Sequence, residues 1–169
     1  VLTGAGSRPA GILSGYRGGT TNTVNPNVFG NVVVNNSATI NAAGGDGIRA
    51  YNFGKGNVTI TNSGTIVAKD VYGITGSSNS TGSVAITTTA TSNITSGSHG
   101  ILAINQASSI PQSAGSTVTV TAAGTINSGV HLSAGGAMSS GISAGYFGPS
   151  GTPNTAINGT VLVDNSANI

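Results

Sequence analysis

The side chains of this chain that could do chemistry are few, and no two of complementary type stand at a spacing that chemistry would need. The carboxylates are Asp46, Asp70 and Asp164; Glu and Cys are absent. The imidazoles are His99 and His131, and the cations are Arg8, Arg17, Arg49, Lys55 and Lys69. Glycoside hydrolysis uses two carboxylates at a set separation. Asp46 precedes its Gly-Ile step by one residue, Asp70 precedes its own by three, and Asp164 follows a Val-Leu-Val strand, so no two share a register. A polysaccharide lyase would want a basic residue beside metal-binding acids, and the sequence groups none. Both histidines have Ser neighbours, which carries no weight in a chain so rich in Ser, and neither fits a triad or a metal-ligand spacing. They read as lone surface histidines. Gly4-Ala5-Gly6 lacks the strand-to-helix context of a phosphate loop. The expectation is a non-enzymatic chain with no catalytic residue, no metal and no cofactor.

Aromatic side chains offer a different chemistry. Tyr16, Phe29, Tyr51, Phe53, Tyr146 and Phe147 lie in or beside the irregular segments, and only Tyr72 does not. Rings beside cations can stack on a sugar face or hold a protein edge. The candidate ligand or adhesion surface is therefore Tyr16, Arg17, Tyr51, Phe53, Lys55, Tyr146 and Phe147. The competing reading, which ranks ahead of it, is that these rings cap coil edges and pin loops.

Such residues must be positioned by a repeat. Gly-Ile steps recur at Gly11, Gly47, Gly73, Gly100 and Gly141. Alternating strands begin at Val32, Val58, Val84, Val118 and Val161, and an Ile follows each at Ile40, Ile66, Ile94, Ile126 and Ile169. The step from Val to Ile is 8 residues in four copies and 10 in the third. Constant spacing between segments of variable length marks a coil with free loops. The predicted fold is all-β: a right-handed parallel β-helix (β-solenoid) of about five coils, each with three short strands. Stacked at ~4.8 Å, the coils would make a rod on the order of 25 Å long. A single segment, 1–169, carries inserts at 16–31, 106–116, 127–140 and 145–160, and reads as an excised part of a longer protein. Solenoid inserts gather on one face, often the working one.

The same phase predicts which residues face inward. The Ile column after each Gly, the two Val/Ile columns and the later Ile column form the core. Ser14, Ala50, Gly76, Ala103 and Ala144 form a small-residue column. Asn36, Asn62 and Asn165, with Thr88 and Ala122 between, form a structural column able to run amide hydrogen bonds from coil to coil. Outward Thr59, Thr61, Thr87, Thr119 and Thr121 resemble an ice-binding surface, but Thr is simply a good exposed strand residue.

Composition excludes other classes. Charged residues are 5% of the chain, against ~25% in ordinary domains. The net charge of +2 rests on dispersed cations, whereas a nucleic-acid surface needs them clustered. No apolar run reaches ~20 residues, so no helix is expected to span a bilayer. Val and Ile alternate too strictly for a disordered chain.

The stretch Asn-Val-Thr-Ile-Thr-Asn-Ser-Gly-Thr-Ile, Asn57 to Ile66, with Gly-Ile-x-Ala steps, resembles the passenger repeats of bacterial autotransporters (type V secretion) and of haemagglutinin-like adhesins. The resemblance covers nearly the whole chain. It implies export through the outer membrane of a Gram-negative bacterium and an extracellular or cell-surface rod. It also implies adhesion, a role in virulence and a C-terminal membrane barrel elsewhere in the full-length protein. The chain shows no Gly-Asp-Ser-Gly nucleophile motif of the protease members. Expected partners are a host or bacterial surface glycan or protein, or another copy of the chain; nucleic acid is not among them. The alternative functions are a carbohydrate-active β-helix that binds or cleaves polysaccharide and, further behind, an ice-binding solenoid.

Overall fold

A computed structural model describes residues 9–18, 23–130, 139–147 and 156–169. Arg8, His131, Pro149, Pro153, Gly4-Ala5-Gly6 and parts of the predicted inserts lie outside the described residues.

The chain is a parallel β-helix of five coils. In order the strands are β1 (Ala10–Tyr16), β2 (Val32–Asn36), β3 (Ile40–Asn41), β4 (Asp46–Asn52), β5 (Val58–Asn62), β6 (Thr65–Ala68) and β7 (Ile74–Ser78). They continue with β8 (Val84–Thr88), β9 (Asn93–Ser96), β10 (Ile101–Asn105), β11 (Thr117–Ala122), β12 (Thr125–Asn127), β13 (Ile142–Tyr146) and β14 (Thr160–Asn165). A short 3-10 turn, Gln112–Ala114, interrupts the insert before β11 and ends at Gly115 in the left-handed region, φ 58°. The strands form three parallel sheets: β1-β4-β7-β10-β13, β14-β11-β8-β5-β2 and β12-β9-β6-β3. We call them the first, second and third sheets. The fifth coil joins the third sheet through a bridge from Thr125 to Asn168.

Stacking follows the sequence columns. Ile12, Ile48, Ile74, Ile101 and Ile142 are in register along the first sheet. Val58, Val84 and Val118 align along the second, and Ile66, Ile94 and Ile126 along the third. Each of these nine central side chains (Ile48, Ile74, Ile101, Val58, Val84, Val118, Ile66, Ile94 and Ile126) is at most 2% exposed. One coil cannot bury its inward residues alone; only stacking closes the interior and satisfies the backbone.

The Gly-Ile steps have a steric cause. A Cβ on Gly73 would strike Ile94 Cγ2 of the third sheet and come within 2.5 Å of the Gly100 carbonyl of the next coil. Gly47 and Gly100 face the same obstruction from Ile66 and Ile126. The third sheet closes against the first at this corner, and only glycine leaves room.

Of the predicted Asn column, Asn36 and Asn62 are joined from coil to coil at the bend after the second sheet, whereas Asn165 is exposed and bonds to Ala167 of its own turn. Asn36 Nδ2 donates to Asn62 Oδ1 at 2.8 Å, and Asn62 Nδ2 donates to Ser92 Oγ at 2.6 Å. At Thr88 the hydroxyl donates to the Ala123 carbonyl instead, at 2.8 Å. A second column, not anticipated, lies at the bend after the first sheet. Asn52 Nδ2 donates to the carbonyls of Gly30 and Gly56, and Asn105 Nδ2 to those of Ser80 and Gly82. Asn52 ends β4 and is fully buried.

The two ends of the stack differ. In the first coil Val32, Val34 and Ile40 are 4%, 6% and 9% exposed, while their fifth-coil counterparts Val161, Val163 and Ile169 are 44%, 45% and 60% exposed.

Candidate ligand-binding site

Five of the seven predicted surface residues come together at the step from the first coil to the second. Tyr16 ends β1 in register with Asn52 of β4, so the chain leaves both strands at the same bend. The first insert returns across the turn of the second coil and is stitched to it by backbone hydrogen bonds. Asn25 N donates to the Phe53 carbonyl at 2.8 Å, Phe53 N to that of Tyr16 at 3.0 Å and Lys55 N to that of Val28 at 2.7 Å. Over this frame Arg17 Nε donates to Tyr51 Oη at 3.3 Å. The Arg49 guanidinium lies 5.9 Å from the Tyr51 ring centre, and Lys55 Nζ lies 5.1 Å from that of Phe29. Tyr51 and Phe53 meet edge to face at 6.1 Å. Phe29 is 68% exposed and Tyr16 42%. Arg17 and Arg49 thus share Tyr51, Lys55 lies against Phe29, and Arg49 and Phe29 join the residues expected. Exposed ring faces offer stacking surface, and guanidinium and ammonium groups attract carboxylate or sulfate.

Tyr146 and Phe147 lie elsewhere. Register runs Tyr16, Asn52, Ser78, Asn105, Tyr146, so Tyr146 shares the column of Tyr16 but stands on the fifth coil. Its hydroxyl donates to the Ser116 carbonyl at 2.9 Å, which ties the ring to the coil edge. Phe147 is 47% exposed.

No family model, curated protein or solved structure matches the chain. The functional reading therefore rests on geometry.

Of the remaining chemistry-bearing groups, Asp46 and His99 lie at the Gly corner, and the three carboxylates do not group. One residue before the Gly column stand Asp46, Tyr72, His99 and Ser140 on successive coils. His99 stacks on Tyr72 with ring centres 5.2 Å apart, and its Nδ1 lies 2.7 Å from Ser140 Oγ. Burial lowers the His99 pKa below its ordinary value and favours the neutral ring. His99 is thus a partnered corner residue rather than the lone surface histidine expected. The partner was hidden because Ser140 lies 41 residues away across a variable insert. Asp46 is fully buried, whereas Asp70 is exposed beside Gly44 and Asp164 is exposed on β14. Among the described residues no group of three or more His, Asp or Glu could hold a metal ion. The outward threonines of the second sheet lie in register, with Ala85 between Thr59 and Thr119.

Proposed function

We propose that this chain is a non-enzymatic, surface-exposed segment of a β-helical adhesin or stalk, and that the ring-and-cation cluster of its first coil step holds an acidic surface glycan. The observation that carries the reading is that Arg17 and Arg49 both meet Tyr51 while Lys55 lies against the exposed Phe29, all at the step between the first and second coils. Three of the five cations stand at this coil step, and among the described residues the other charged side chains are Lys69 and three carboxylates, so an anionic ligand is favoured here. Sugar rings stack on the exposed aromatic faces while the cations meet carboxylate or sulfate groups. The repeat style of Asn57 to Ile66 supports display outside a Gram-negative cell.

Immobilised uronic-acid and sulfated oligosaccharides, with neutral ones for comparison, test this directly. Binding is expected to the acidic set, weakened by salt. Lys55→Ala and Tyr51→Ala should each weaken it about tenfold, or ~1.4 kcal/mol, with the melting temperature of the Lys55 variant unchanged. Equal binding to neutral sugars, or none to either set, would sink the reading.

A further inference from the structure

One asparagine of this chain stands where the main chain can attack it. Asn158-Gly159 is the single Asn-Gly pair in the sequence. Both residues are exposed, and they lead into β14. The main-chain nitrogen that follows an asparagine can close on its side-chain Cγ, and a Cβ on the following residue obstructs that approach. Glycine has no Cβ and reaches the necessary dihedrals freely. Among the described residues the Gly159 N–H has no acceptor, so the attacking nitrogen is not already engaged.

The fold has a use for each member of the pair. Asn158 clasps the Ile110 carbonyl twice: its main-chain N–H donates at 3.0 Å and its Nδ2 at 3.2 Å. Ile110 is fully buried, pairs with Ile157 in a parallel bridge and donates its own N–H to the Ala156 carbonyl at 2.9 Å. The clasp thus joins the fourth-coil insert to the fifth. Gly159 is fixed for a separate reason, since a Cβ there would run into the hydroxyl end of the Tyr146 ring. Tyr146 is itself held by its bond to the Ser116 carbonyl. The first coil shows that the two demands are independent. Gly30 lies against the Tyr16 ring in the same way, but Phe29 precedes it and offers no amide. The buried Asn36, Asn52, Asn62 and Asn105 are followed by Ser37, Phe53, Ser63 and Gln106, each with a Cβ.

We propose that Asn158 is a site of spontaneous deamidation and that its conversion to a carboxylate opens the clasp between the two inserts. The Gly159 nitrogen bonds to Cγ of Asn158, the Cγ–Nδ2 bond breaks, and Nδ2 leaves as ammonia with the proton that Gly159 gives up. Water then opens the five-membered imide. Cleavage at the side-chain carbonyl gives Asp. Cleavage at the main-chain carbonyl gives isoaspartate, which lengthens the backbone by one carbon. Water enters, ammonia leaves, and nothing is oxidised or reduced. Either product puts carboxylate oxygens where Nδ2 had donated, so two acceptors face each other at Ile110 and the clasp loses a bond. The net charge of the chain falls by one. The reaction needs only water, so its extent records the age of the chain. None of this depends on the ligand reading above.

The test holds the folded chain at mildly alkaline pH for days, beside an Asn158→Gln variant, and reads every asparagine by peptide mass spectrometry. Isoaspartate is assayed as a methyl acceptor for an isoaspartyl methyltransferase. Asn127 is the comparison, because it is exposed and precedes Ser128. Asn158 should lose its amide at least ~10-fold faster than Asn127, a difference of about 1.4 kcal/mol in barrier. Isoaspartate should appear at that position, and the Gln variant should form none there. Loss no faster than at Asn127, or loss without isoaspartate, would overturn the site. Amide hydrogen exchange tests the clasp. Exchange at the Ile110 and Asn158 amides should quicken at least ~10-fold in the aged chain and in a fresh Asn158→Asp variant. Unaltered exchange at both amides in the aged chain would overturn the opening of the clasp, whatever the variant does.

Discussion

At the scale of single residues, this fold depends on groups whose size or hydrogen bonding has no substitute. Gly73 lies between the third sheet and the next coil, and Gly73→Ala should cost about 2–3 kcal/mol by overpacking. Gly115 is a useful contrast. It has φ 58° and no atom within 4 Å of a new Cβ, so Gly115→Ala should cost only about 1 kcal/mol, from the left-handed backbone. Urea melts of the two variants would reveal the order, and a reversed order would contradict the corner argument. Asn62 is fully buried; it accepts from Asn36 and donates to Ser92 and Gly64. Asn62→Ala leaves those partners short and should cost about 2 kcal/mol, read as a melting temperature several degrees lower. His99 gives a pH signature. Burial holds its folded pKa below the ordinary 6.5, so the unfolded state binds more protons as pH falls through that range. The stability linked to the neutral ring is complete above pH 6.5 and is lost as pH falls through the folded pKa. His99→Gln should flatten melting temperature against pH between about 7 and 5; an unchanged slope would assign the effect to other groups.

At the scale of elements, each strand contributes through its column. Ile94 of β9 is packed between Ile66 and Ile126 and is fully buried. Ile94→Ala should cost about 3–4 kcal/mol, whereas Val161→Ala on the exposed β14 should cost under about 1. Differential unfolding of these two variants measures how unequal the coils are. The columns were legible in sequence because inward positions must be apolar on every coil, and period-two alternation shows that directly. The Asn column at Asn36 and Asn62 was legible for the same reason: it keeps phase. The column at Asn52 and Asn105 was missed, although each lies four residues after the Ile of its Gly-Ile step. Ser78 and two tyrosines occupy the same place on other coils, so residue type concealed the position. The candidate site was legible in part. Nearness of Tyr51, Phe53 and Lys55 follows from one turn, but Arg17 reaches Tyr51 only because the first insert folds back over the second coil. Insert paths depend on local turns and on what they land against, and no periodicity encodes them. The pairing of His99 with Ser140 was hidden because its column mixes four residue types.

At the scale of the whole molecule, the coils behave as nearly interchangeable layers. Deleting residues 73–99 joins Tyr72 to Gly100 and removes one coil without disturbing the phase of the others. The shortened chain should still fold, with a proportionately smaller unfolding enthalpy and the same strand signature in circular dichroism. Collapse to a disordered chain would mean that the third coil carries more than its share. All three sheets are parallel and stacked along one direction, which has a mechanical consequence. The hydrogen bonds between strands lie along the rod axis, so tension applied at its two ends loads them in opening rather than in shear. A pulled rod should therefore unwind from an end, one coil at a time, at modest force. Each release frees between 26 and 41 residues, the intervals between successive Gly-Ile steps, or roughly 90 to 140 Å of extended chain. Such a rod should yield in steps under sudden load and rewind when the load is removed.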